Sequence, residues 1–110
     1  MEKTERRRSP RKCLGCDVTL CHALSGKEFR GFAKDISTVG IYVETDGDFV
    51  EGDFVNLRFR LPKGTTYLEA KGMVVRKEEV GGGKYGFGIE FFEMEEWVLS
   101  HIWHFVMQGK

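Results

Sequence analysis

The feature that most constrains this chain is a two-residue alternation of apolar and polar side chains that recurs along most of its length. In the clearest example, Val55, Leu57, Phe59 and Leu61 alternate with polar neighbours. Such an alternation places apolar side chains on one face of a β-strand and polar side chains on the other. It predicts strands over residues 16–24, 28–34, 41–44, 55–61, 67–77 and 85–92.

Short turn sequences separate these strands, and the period changes near residue 93. Apolar residues then follow helical spacing, behind three glutamates that favour the positive end of a helix: Met94, Val98, Ile102, Phe105 and Val106. Short, evenly spaced strands favour a closed barrel with the helix lying across it. The sequence therefore predicts an all-β fold, a six-stranded antiparallel β-barrel with a C-terminal α-helix.

The charge is unevenly distributed along the 110 residues, although the formal net charge is zero. Residues 1–12 hold six cationic and two acidic side chains, a local net charge of +4, so the remainder sums to −4. This segment lacks periodicity, and Pro10 disfavours regular structure around Ser9. We interpret residues 1–12 as a flexible arm and residues 13–110 as one barrel domain. Positive charge confined to an arm on an acidic body points to a localised anionic partner.

Several classes of protein are disfavoured by what the sequence contains. The three cysteines are an odd number, and the charged start has no apolar run behind it, so the pattern fits a reducing cytoplasm rather than secretion. No stretch approaches the roughly 20 apolar residues of a membrane-spanning helix. No Ser-His-Asp set, phosphate-binding glycine loop or catalytic carboxylate pair has motif-like spacing. We expect a cytoplasmic protein that neither enters the membrane nor catalyses a reaction.

Two motifs stand out together. The arm contains R-x-x-x-R at Arg7 and Arg11, and about 25 residues later comes the D-x-S-x-x-G sequence of residues 35–40. A third segment, residues 88–91, reads Gly-Ile-Glu-Phe before the predicted helix. The chain resembles the PilZ domain family in all three segments and over essentially its whole length. The resemblance implies a bacterial six-stranded barrel that binds the second messenger cyclic di-GMP, with no metal or other cofactor.

In that family the two motifs form the two halves of the ligand site. The corresponding residues here are Arg7 and Arg11 in the arm, and Asp35, Ser37 and Gly40 in the barrel. Arginine forks pair with phosphate oxygens and with guanine O6 and N7, while a carboxylate accepts from guanine N–H groups. Ser37 can donate to a phosphate or hold the turn, and Gly40 lets backbone and ligand approach closely.

Three further arginines complete the expected site. Family members with an arginine before R-x-x-x-R often capture two intercalated ligand molecules, and Arg6 occupies that place. Arg8 lies inside the motif and is a candidate for stacking on a base. Arg76 ends a strand where the family often carries a large side chain beside the ligand. We therefore expect an intercalated ligand dimer, contacted by Arg6, Arg8 and Arg76 as well.

The expected mechanism is closure of the arm over the ligand, which creates a new surface for an unknown downstream protein. Motility and biofilm formation are outputs that the family makes plausible. Two rival functions stay open. One is a PilZ-fold adaptor that works through protein contacts without a ligand, and the other is a nucleic-acid-binding barrel. The acidic body argues against the second, so no nucleic acid is expected.

The remaining polar and aromatic residues have simpler readings. Cys13-x-x-Cys16 followed by Cys21 and His22 superficially suggests zinc, but Cys21 and His22 are adjacent on a predicted strand and point to opposite faces. The cysteines are expected to be small, partly buried side chains, and His101 and His104 to lie on the helix surface. Apolar residues off the main helix stripe, namely Leu99, Trp103 and Met107, suggest a second buried face and a possible homodimer.

Overall fold

In the computed structural model, residues 10–108 are described, and they form six strands and one helix. The elements are β1 (Lys12–His22), β2 (Glu28–Ile36), β3 (Gly40–Thr45), β4 (Phe54–Arg60), β5 (Tyr67–Gly81), β6 (Lys84–Glu93) and α1 (Glu96–Met107). All neighbouring strands are antiparallel, and the order β1-β2-β3-β6-β5-β4 closes through pairing of β4 with β1. The predicted six-stranded antiparallel barrel with a C-terminal helix is confirmed.

The core forms where the alternation predicted it. Val55, Leu57 and Phe59 point inward and are only 1% exposed, whereas the residues between them face solvent. One face of α1 adds Val98, Ile102 and Val106 to the same cluster. Because each fully buried apolar side chain of this size contributes about 1.5–3 kcal/mol, this shared core fixes the helix against the barrel.

Two bulges account for the differences between the observed strand limits and the predicted ones. Strand β1 begins at Lys12 rather than at residue 16, and its pairing with β2 shifts register between Cys13 and Cys16. Gly15 lies inside this bulge with φ +64°, which suits the extra residue of a glycine bulge. A second shift, between Ala33 and Asp35, interrupts the pairing of β2 with β3. Such extra residues break the simple alternation, so sequence pattern alone placed these strand ends incorrectly.

Lys12 joins the start of the barrel to the end of the helix. Its Nζ donates to the backbone oxygens of Phe105 and Gln108 at 3.1 and 3.3 Å and lies 4.3 Å from the centre of the Phe105 ring. A cation at this position satisfies the last carbonyls of a helix and complements its dipole. Lys12, assigned to the arm from the sequence, is therefore the first residue of β1, whereas residues 1–9 of the arm lie outside the described residues.

Between residues 10 and 108, no helix combines the length and the apolar character that crossing a membrane requires.

Candidate functional site

The two sequence motifs meet at the start of β1 and the end of β2. Pairing of these strands sets Cys13 opposite Asp35, which brings Arg11 beside the aspartate. The Nε and Nη2 atoms of Arg11 each lie 2.8 Å from Oδ1 of Asp35. Both side chains stay accessible to solvent, with 46% and 35% of their surface exposed. Arg11 of the arginine motif and Asp35 of the D-x-S-x-x-G motif are therefore in direct contact.

Ser37 holds the turn that follows Asp35. The residue is fully buried, and its Oγ accepts hydrogen bonds from the backbone N–H groups of Val39 and Gly40 at 3.1 and 3.2 Å. Its own N–H donates to the oxygen of Gly40 at 2.8 Å. Of the two roles expected for Ser37, this is the turn-holding one, and it shapes the site from beneath.

At Gly40 the backbone of β6 lies close against the start of β3. A Cβ atom there would lie 2.6 Å from the backbone oxygen of Ile89, well inside any allowed contact. Gly40 pairs with Glu90 at the start of β3. Strand packing is thus one reason for the absence of a side chain at Gly40, and the expectation that it also lets a ligand approach stays a prediction.

A single row of residues crosses the outer face of four strands beside this turn. Strand pairing sets Asp35 (β2) opposite Tyr42 (β3), Tyr42 opposite Gly88 (β6), and Gly88 opposite Arg76 (β5). Three strand spacings separate the two ends of the row, roughly 14 Å. Arg11, Asp35, Gly40 and Arg76 all line one open cleft of about 880 Å³ above it. That volume falls within the range of small-molecule sites.

The floor of the cleft depends on a glycine in β6. A Cβ atom on Gly86 would lie 1.8 Å from the hydroxyl oxygen of Tyr42, so only glycine leaves room for that ring. On the other side, the Arg76 guanidinium lies 5.6 Å from the centre of the Tyr42 ring. Gly86 thus leaves room for the end of the Tyr42 side chain, and Arg76 lies within cation–π distance of its ring.

Tyr42 also has a polar partner at its far end. Its hydroxyl donates a hydrogen bond to Oε2 of Glu78. Partial burial, then this hydrogen bond and the negative charge of Glu78, raise the pKa of Tyr42 to about 12. The phenol is therefore neutral at physiological pH and fixes one carboxylate at the edge of the cleft.

The structure places the predicted site residues in different ways. Arg11, Asp35, Gly40 and Arg76 line the cleft, Ser37 lies below it, and Arg6, Arg7 and Arg8 are outside the described residues. The sequence interpretation missed several lining residues: Val39, Tyr42, Val75, Glu78 and Glu90. The available signal was the pair of outward-facing glycines in the segment Tyr85-Gly86-Phe87-Gly88, which opens space on the barrel surface for side chains of neighbouring strands.

The histidines have structural partners. His22 Nδ1 accepts from the N–H groups of Leu24 and Ser25, each at 3.3 Å, which leaves Nε2 facing Asp53 Oδ2 at 3.3 Å. His101 and His104 bond through Nδ1 to backbone oxygens one helical turn earlier. Cys13 is exposed, whereas Cys16 and Cys21 are partly buried. In the described part of the chain, no three such side chains are grouped to hold a metal.

The closed barrel, its helix and the cleft over the D-x-S-x-x-G turn define a small β-barrel module with an open surface cleft. The family model of the PilZ domain matches residues 5–108. The chain therefore belongs to the PilZ domain family, whose fold is that of cyclic di-GMP receptors.

Solved structures agree with this assignment. The inhibitor of motility MotI/DgrA from Bacillus subtilis superposes with a TM-score of 0.78 at 25% identity, over 94% of this chain and 50% of that one. This chain thus spans half the length of that protein. The PilZ domain of YcgR from Escherichia coli, solved with c-di-GMP, gives a TM-score of 0.69 at 14% identity, over 92% and 88% of the two chains.

A third similar structure is the PilZ domain of CeSA from a cellulose-synthesizing bacterium. It gives a TM-score of 0.64 at 17% identity and covers 89% of this chain and 95% of that domain. At these identities the YcgR and CeSA domains show the fold alone. No curated protein sequence matches the chain.

Proposed function

We propose that this chain is a cyclic di-GMP receptor that works by binding rather than by catalysis. The observation that carries the proposal is the meeting of the two motifs. Arg11 and Asp35 are 24 residues apart in sequence, yet they lie in direct contact at the edge of an open cleft of about 880 Å³. A guanidinium and a carboxylate side by side match the phosphate and the guanine edge of such a ligand.

The described cleft needs more positive charge to hold two phosphates. Its lining includes the cations Arg11 and Arg76 but also the carboxylates of Asp35, Glu78 and Glu90. In the proposed complex, the missing charge comes from the arm arginines Arg6, Arg7 and Arg8. Asp35 accepts from the N–H groups of guanine, and the planar pair of Tyr42 and Arg76 offers a stacking surface.

The ion pair between Arg11 and Asp35 is weak, so a ligand that breaks it loses little free energy. Both groups are more than one-third exposed, and a pair of this kind contributes at most about 1 kcal/mol. A guanine edge that hydrogen-bonds to Asp35 therefore displaces Arg11 at a small cost in free energy. The freed guanidinium then forms a charge-assisted hydrogen bond with phosphate, worth about 1.5–3 kcal/mol. The exchange favours the complex and recruits the arm at the same time.

The finer parts of the proposal follow from this exchange. The arm closes over an intercalated pair of ligand molecules, with Arg6 completing the second site, and the closed arm offers a new surface to a downstream protein. Motility is the process supported by the similarity to an inhibitor of motility. A cytoplasmic location agrees with three free cysteines.

A homodimer is part of the same proposal, since Leu99, Trp103 and Met107 are 39–50% exposed along one side of α1. Sedimentation of the chain with and without ligand distinguishes one copy from two.

Titration calorimetry with cyclic di-GMP tests the proposal. We expect saturable binding with two ligands per chain, loss of at least tenfold in affinity for Arg7→Ala, Arg11→Ala and Asp35→Ala, and one ligand per chain for Arg6→Ala. Lys84→Ala, at the exposed tip of the β5–β6 hairpin, removes the same charge far from the cleft and should bind normally. Cyclic di-AMP, which lacks the guanine edge, should not compete.

Two results would favour the rivals instead. A folded chain that gives no heat with cyclic di-GMP would support a ligand-independent adaptor. Binding of single-stranded oligonucleotides without binding of the dinucleotide would support a nucleic-acid-binding barrel.

A further inference from the structure

The barrel carries a second concentration of positive charge, away from the cleft. Strand pairing aligns Arg30 (β2), Thr19 (β1) and Arg58 (β4) in one outward-facing row. Two residues further along β4, Arg60 pairs with Tyr67 of β5. The body keeps its net charge of −4, but barrel closure gathers three of its arginines from distant parts of the sequence.

Two of these arginines, Arg58 and Arg60, lie against an aromatic ring rather than in ion pairs. None of the ion pairs within residues 10–108 involves Arg30, Arg58 or Arg60. Instead, the guanidinium groups of Arg58 and Arg60 lie 4.7 and 5.2 Å from the centre of the Tyr67 ring. Tyr67 itself is 51% exposed. The ring thus holds two cations in place while much of its own surface stays open to a partner.

We propose that this surface, the arginine face formed by Arg30, Arg58, Arg60 and Tyr67, docks an acidic segment of a partner protein. Tyrosine and arginine are the residue types that dominate the energy of protein interfaces. Guanidinium forks bind carboxylates in two-point geometry, and arginines already held against a ring lose little entropy on binding. An exposed Phe32 beside the face adds apolar area for the same partner.

The pattern of charges favours a protein over a nucleic acid or a membrane. Asp17 of β1 lies opposite Phe32 of β2, and Glu69 of β5 lies opposite Arg58 of β4. Acidic residues are therefore interspersed with the arginines on this side of the barrel. Phosphate backbones and anionic lipid surfaces are recognised by continuous positive charge. Interspersed charges of both signs instead suit a partner whose own side chains are placed individually.

The inference does not depend on the proposed function. The cleft residues and the arginine face share no side chain, although both use strands β2 and β5. Loss of cyclic di-GMP binding in a variant would leave the arginine face intact, and the reverse also holds. The two proposals can therefore fail separately.

The test is an NMR titration of the ¹⁵N-labelled chain with a short synthetic peptide of repeated Glu-Glu-Leu units. We expect chemical-shift changes centred on Arg30, Arg58, Arg60 and Tyr67, and an affinity that falls as salt is raised from about 0.05 to 0.5 M. Arg58→Gln/Arg60→Gln should weaken binding about tenfold. Tyr67→Ser, which changes no charge, should also weaken it several-fold, with thermal unfolding confirming that each variant is folded.

The matched control removes two cations elsewhere. Lys27 precedes β2 and Lys84 begins β6, and both are exposed, so Lys27→Gln/Lys84→Gln should leave peptide binding within a factor of two of the parent. The proposal would be overturned if the two double variants weakened peptide binding equally. It would also be overturned by chemical-shift changes spread over all cationic residues, or by no peptide binding. Tighter binding to oligo(dT) or to phosphatidylglycerol-containing vesicles than to the peptide would overturn the assignment to an acidic protein.

Discussion

Substitution of Gly40 by alanine distinguishes two explanations for a glycine at this position, namely strand packing and the approach of a ligand. The new Cβ would lie 2.6 Å from the backbone oxygen of Ile89, about 0.8 Å inside the 3.4 Å at which ordinary contacts begin. That oxygen belongs to a paired strand and cannot rotate away, so β3 and β6 must move apart. Overpacking of this kind costs about 1–3 kcal/mol. Gly40 and Ser37 are joined by two hydrogen bonds, so the displacement of β3 should also distort the turn at residues 37–40.

Urea unfolding followed by tryptophan fluorescence measures this cost. We expect Gly40→Ala to lose about 1–3 kcal/mol, or about 4–8 °C in melting temperature per kcal/mol, and to remain folded at room temperature. Gly64→Ala is the control, since its nearest neighbour would be the Leu61 oxygen at 3.2 Å, and it should change stability by less than about 1 kcal/mol. A Gly40→Ala chain as stable as the parent but unable to bind cyclic di-GMP would refute the packing argument and restore the ligand-approach explanation.

Three further predictions address Asp35 and Tyr42 at the cleft and Cys16 on β1. Asp35→Asn should change the free energy of unfolding by less than about 1 kcal/mol in urea titrations, because its ion pair with Arg11 is exposed; a larger loss would mean that the pair is structural. Since partial burial and hydrogen bonding raise the pKa of Tyr42 to about 12, the stability that its neutral phenol contributes is complete below about pH 10 and is lost as the pH rises towards 12. Urea midpoints of Tyr42→Phe should lack that alkaline decline, and an identical pH profile would contradict the assignment. Burial raises the pKa of Cys16 to about 11, so iodoacetamide at about pH 8 should label exposed Cys13 first in peptide mass spectra; equal rates would argue otherwise.

The local features of the fold could be predicted from the sequence. Alternation in segments such as 55–61 and the helical spacing of Val98, Ile102 and Val106 are set by near neighbours, and both predictions are confirmed. Strand ends near Cys13 and Asp35 were placed incorrectly because a bulge adds one residue without changing the composition of the segment.

The candidate site was predictable only where its residues lie in a motif. Arg11, Asp35 and Gly40 were found in this way, and Arg76 by family position. Tyr42 and Glu78 were not predicted, because strand pairing across β3, β6 and β5 brings them together. That pairing depends on register rather than on spacing in the sequence. The arginine face was missed for the same reason, since its arginines come from β2 and β4 and meet only through β1.

The two bulges explain how neighbouring strands can present two distinct surfaces. On β2, Arg30 precedes the register shift between Ala33 and Asp35, and Asp35 follows it. On β1, the order is reversed: the cleft end comes first, and the shift between Cys13 and Cys16 precedes the stretch beside the arginine face. A bulge bends a strand and increases its twist, so residues on either side of it point in different directions. Both strands therefore have irregular backbone between the cleft and the arginine face.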